Sequence, residues 1–160
     1  MLRRLALIAF AGSLALVAAA PASARTSIVC TGDATLVPDA SSIQVRQLGP
    51  LTVTSFDFGG AHSMCTRAGD RVEGTWSGHA VQTVLPNGTT LLAVRGHEQF
   101  EGATLDVAAL LRISPSGRWT VLHGRAFNGT GWLDGATSRI LEVSPLSPSL
   151  IGFRSILTWG

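Results

Sequence analysis

From Arg25 onward, apolar residues recur mostly at every second position. Alternation of that kind puts one face of a strand in a core and the other in water. It predicts strands over 27–37, 42–48, 51–58, 71–85, 89–100, 104–113, 118–127, 138–143 and 150–159, with Gly78 marking a break in the fourth. Turn chemistry separates them. Pro86-Asn87-Gly88-Thr89 places Asn-Gly where a two-residue type I′ loop needs positive φ, and Ser114-Pro115-Ser116-Gly117 is a second turn. No window of helical period interrupts the series. The expected fold is all-β: an antiparallel meander of about eight strands closing into a small barrel, which removes exposed sheet edges.

If Asn87-Gly88 centres the hairpin, Val81 faces Val94, Thr83 faces Leu92 and Leu85 faces Thr90. The expected interior face then carries Val81, Leu85, Leu92 and Val94. Later strands add Leu105, Val107, Ala109, Leu111 and Ile113, then Trp119, Val121 and Phe127, then Ile151, Phe153, Leu157 and Trp159. The same parity sends four ionisable residues inward: His79, Glu98, His123 and Arg125. Inward charge is costly unless paired or wet, so these four are the candidate ligand-binding residues, lining a polar pocket at one mouth of the barrel. A single bulge would reverse the parity, and Gly78, Gly96 and Gly124 are the places for one.

The first residues change the compartment. Met1-Leu2-Arg3-Arg4 is a short basic start, 5–20 is apolar apart from Ser13, and Ala22-Ser23-Ala24 follows Pro21. This is the pattern of a secretory signal peptide over 1–24, cleaved after Ala24. The apolar run is short against the roughly 20 residues of a membrane-spanning helix. A single domain over 25–160 remains, secreted or periplasmic. Losing Arg3 and Arg4 makes arginines and acids equal in number, and the chain has no Lys. The remaining arginines are dispersed, so nucleic acid is not an expected partner.

Two cysteines, Cys30 and Cys65, remain in that domain. An even pair in an exported chain reads as a disulfide, contributing on the order of 3–4 kcal/mol by loop closure. A metal site is not expected: His62 and Cys65 have no second ligand pair at suitable spacing.

Catalytic motifs are missed narrowly. Gly74-Thr75-Trp76-Ser77-Gly78 has its serine one place late for a nucleophile elbow. His97-Glu98 lacks the second histidine of a zinc-protease helix. There is no phosphate loop or dinucleotide fingerprint, and no cofactor is expected. Asn87-Gly88-Thr89 and Asn128-Gly129-Thr130 match the glycosylation sequon but read as turns. An outer-membrane barrel is disfavoured by the lack of Tyr for aromatic girdles, and Arg95, Asp106 and Arg112 fall on the outer face, so stable membrane insertion is not expected.

Two blocks resemble a known group. Gly74-Thr75-Trp76-Ser77-Gly78 with Thr83-Val84-Leu85-Pro86-Asn87-Gly88, and later the segment FNGTGWLDGA over 127–136, resemble elements of the allene oxide cyclase-like and dirigent-like barrels. The resemblance implies an eight-stranded antiparallel barrel with a central cavity and carries over no reaction. The favoured expectation is a non-enzymatic exported barrel binding a small apolar or amphipathic molecule or an envelope component. A cyclase- or isomerase-like enzyme using His79, Glu98, His123 or Arg125 is the second, and a structural or interaction protein the third.

Overall fold

A computed structural model describes residues 25–160; the expected signal peptide over 1–24 lies outside the described residues. The strands are β1 (Thr26–Thr35), β2 (Val37–Pro38), β3 (Gln44–Leu48), β4 (Leu51–Cys65), β5 (Arg71–Val84), β6 (Thr90–Phe100), β7 (Ala103–Ile113), β8 (Trp119–Gly131), β9 (Ala136–Ser147) and β10 (Leu150–Trp159). One turn of 3-10 helix, Ala40–Ser42, is capped by the Asp39 side chain, which accepts from the Ser41 amide.

Strands β4 to β10 pair in chain order, β10 pairs β1, and β1 returns to β4. The result is a closed eight-stranded antiparallel barrel, with β2 and β3 as short additions on β4. The turns at 85–89, 114–118 and 148–149 lie at one end of the barrel. Those at 66–70, 101–102 and 132–135 lie at the other.

The β4–β5, β5–β6 and β6–β7 ladders are continuous, and the β7–β8 ladder shifts register between Thr104 and Asp106 and again between Leu110 and Leu111. The ring is interrupted twice. Between β1 and β4 only Ala34 and His62 are in register, and side chains complete the join. The Cys30–Cys65 disulfide spans it with Cα atoms 5.6 Å apart. The Ser63 hydroxyl donates to Asp33 Oδ1 at 2.9 Å, the Asp33 amide donates back to Ser63 Oγ at 3.0 Å, and the Ala61 amide donates to Thr35 Oγ1 at 2.7 Å. Between β8 and β9 only Arg125↔Arg139 and Ala126↔Ser138 are in register, and no covalent link follows.

The hairpin register differs from the expected one by a single residue. The Leu85 amide donates to the Thr89 carbonyl, the Gly88 amide donates to the Leu85 carbonyl, and the ladder begins at Val84↔Thr90. Ala80, rather than Val81, therefore faces Val94. The reason is Pro86. A two-residue loop around Asn87-Gly88 would need the residue at 86 to donate an amide hydrogen, which proline lacks. The loop closes one residue earlier instead, with Gly88 left-handed at φ 78°. Val81 and His79 are thereby on the outer wall, while Leu92, Val94 and Glu98 remain inside.

Three other segments extend beyond their expected limits. β4 continues through Gly59-Gly60 to Cys65, β8 runs on to Gly131, and β9 spans Ala136–Ser147. Gly60 is required by close approach: a Cβ there would collide with the backbone carbonyl of Thr35 on β1. The proline-dense stretch over 144–149 is mostly strand. That half of β9 meets no ladder from β8, and such an edge is where a strand tolerates proline.

Candidate functional site

The barrel interior is closed at one end and hollow towards the other. The segment over 127–136 forms the closed end. Asn128, Gly131 and Gly135 take positive φ of 56°, 61° and 69°, which bends the chain so that Leu133 turns inward and is fully buried. Phe100, Ala103, Ala136 and Trp159 are buried in the same core. This segment is a plug.

Beyond the plug lies a cavity of about 70 Å³, reaching towards the end that carries the 114–118 and 148–149 turns. Trp119, Leu111, Val143 and Ile151 line that side of it. Its wall is apolar except for His62, Glu98, Ser138 and Ser155. The volume holds roughly five water-sized spheres, far below the roughly 300 Å³ at which drug-sized sites begin. It suits a molecule of a few heavy atoms, or one end of a larger one.

Two ionisable side chains meet at the cavity. His62 Nε2 lies 3.4 Å from Glu98 Oε1, with the two side chains 6% and 7% exposed. His62 is stacked on Phe153, with centroids 5.1 Å apart and planes 1° from parallel, and it packs against Phe100 and Trp76. Burial pushes the His62 imidazole down to about 4, against a smaller upward pull from the Asp33 carboxylate. Burial pushes the Glu98 carboxyl up to about 8. At pH 7 the imidazole is therefore neutral and Glu98 mostly holds its proton, so the pair is a hydrogen-bond donor beside an acceptor with little net charge. With the Glu98 proton directed at Nε2, the ring hydrogen belongs on Nδ1, and His62 Nδ1 is buried without a partner. An unpaired buried donor costs on the order of 1–3 kcal/mol.

Of the four candidate ligand-binding residues, only Glu98 faces the interior. His79 stands on the outer wall, where Nδ1 lies 2.8 Å from Asp57 Oδ1. His123 and Arg125 are also outside and exposed. Leu122 is an extra residue in β8, because Leu110 is opposite His123 while Leu111 is opposite Val121. That bulge keeps Trp119 and Val121 inward and then brings Gly124 and Ala126 inward, which turns His123 and Arg125 out. Arg125 instead lies over the Phe127 ring, 5.0 Å from its centroid, so Phe127 too belongs to the outer wall.

His62 is the interior residue that the expected strands omitted, because 51–58 ended at Gly59-Gly60. The signal was present: Phe56, Phe58, Gly60, His62 and Met64 continue the alternation without a break. No cluster of three or more metal-ligating side chains occurs among the described residues, and no helix among them is long and apolar enough to cross a membrane. Comparison of the chain with protein-family models, curated proteins and solved structures finds no match.

Proposed function

We propose that this protein is an exported, non-enzymatic barrel that takes a small, mainly apolar molecule into its interior. The observation that carries this reading is the apolar cavity ending on the neutral Glu98–His62 pair. An apolar wall favours a hydrocarbon body. A donor and an acceptor without charge favour one uncharged polar group, such as a hydroxyl or a carbonyl, over an ammonium or a carboxylate. The disulfide supports export, since such bonds persist in oxidising compartments. The resemblance to the allene oxide cyclase-like and dirigent-like barrels supports the same reading through its implied central cavity.

Trp76 and Trp119 line the cavity, so their fluorescence reports on its contents. Propan-2-ol should shift that emission and bind about tenfold more tightly than propane, corresponding to one net hydrogen bond. Glu98→Leu should erase the preference while keeping the hydrocarbon affinity. A wild-type protein indifferent to both compounds would sink the proposal. A second reading is favoured by the same pair: Glu98 could donate a proton and His62 receive one in an isomerisation. It would require a turnover that Glu98→Gln abolishes.

A further inference from the structure

Where β8 and β9 part, the outer wall carries a groove of about 310 Å³ bounded by 121–125 on one strand and 139–141 on the other. Arg125 and Arg139 are directly opposite each other across it. Both are exposed, and among the described residues no carboxylate pairs with either. Like charges directly opposed on neighbouring strands repel, yet they occupy one of the two registered β8–β9 pairs. Arg95 extends the same outer row, since it is opposite Ala108 and Ala108 is opposite Arg125. His123 borders the groove as well.

Beside these polar groups the groove has a small apolar part. Leu122, the bulge residue, is 49% exposed, Leu141 borders the groove beside it, and the core-packed Val121 and Ile140 lie at its floor. Two unneutralised cations beside an apolar floor match a ligand with an anionic head and a short chain. Guanidinium groups bind carboxylate, phosphate or sulfate oxygens in a two-pronged fashion. One opposed pair matches a single head group better than the spaced charges of a nucleic acid.

We propose that this groove binds an anionic amphiphile, its head between Arg125 and Arg139 and its chain along Leu122 and Leu141. The site opens on the outer wall, and Ile140 at its floor also belongs to the lining of the interior cavity.

The test is calorimetric titration of the whole protein with octanoate, 1-octanol, acetate and an acidic hexapeptide. Octanoate should bind at least tenfold more tightly than either 1-octanol or acetate, and its affinity should fall as salt is added. The double substitution Arg125→Gln, Arg139→Gln should reduce octanoate to the level of 1-octanol without changing 1-octanol itself. Leu122→Ser should weaken octanoate severalfold and leave acetate unaffected. Equal binding of octanoate and acetate would leave a plain anion site and overturn the proposal. Equal binding of octanoate and 1-octanol, an unchanged double variant, or binding of the peptide alone would overturn it too.

Discussion

The two interruptions of the barrel have opposite character. At the β1–β4 join one registered pair survives, and a disulfide, a serine–aspartate exchange and a threonine-held amide fasten the rest. Arg71 reinforces it from β5, its guanidinium 2.8 Å from Asp33. At the β8–β9 parting two registered pairs survive, one of them between arginines, and each flanking ladder carries a bulge, at Leu122 towards β7 and at Leu141 towards β10. A barrel needs every strand to find two neighbours. It does not need backbone ladders everywhere. Where closure is the task, side chains substitute for the ladder. Where the ladder is absent and nothing substitutes for it, the wall is available for binding.

The largest effect should come from unfastening the closed join. Cys30→Ser with Cys65→Ser should cost about 3–4 kcal/mol, read as a lower urea midpoint. An unchanged midpoint would mean that the side-chain contacts alone close the barrel. Next, Gly78→Ala should cost about 1–3 kcal/mol, because its Cβ would press on the Arg95 carbonyl within an unbroken ladder. Gly124→Ala puts a Cβ 2.7 Å from that of Ile140, but β9 can move there, so its cost should be smaller. Equal costs would show the parting to be as rigid as the ladder.

The interior pair gives a pH dependence. Glu98, raised in the folded protein from 4.5 to about 8, binds more protons folded than unfolded between those values, so its contribution falls as pH rises. His62, lowered from 6.5 to about 4, binds fewer protons folded, so its contribution rises with pH over that window. The two offset each other between about 4.5 and 6.5. From 6.5 to 8 stability should decline by on the order of 1 kcal/mol per pH unit, and Glu98→Gln should flatten that decline. A decline of the same slope in the variant would place its source elsewhere. The smallest effect belongs to the parting: Arg139→Gln should stabilise by a few tenths of a kcal/mol at low salt and by nothing measurable at high salt. A destabilised variant would argue against repulsion between the arginines.

Much of the wall was legible along the chain. Leu105, Val107 and Leu111, and Leu157 with Trp159, are interior as their alternation required. Glu98 was found by the same rule. His79 was misplaced because Asn87-Gly88 outweighed Pro86, although the missing proline hydrogen was readable. His123 and Arg125 were misplaced by a bulge at Leu122, which no residue type announces, since leucine suits a regular strand equally well. Arg139 carries no signal of its own in the sequence, because its significance lies in facing Arg125.

The sequence by itself determined the period of two, most turn positions, the paired cysteines and hence a meander of strands with a core on one face. These depend on backbone sterics and side-chain direction, which are local. Only the tertiary structure decided the bulges, the meeting of His62 with Glu98, the plug formed by Leu133 and the opposition of Arg125 to Arg139. Each depends on how the ring closes, and a one-residue shift in register exchanges the two faces of a strand at little local cost.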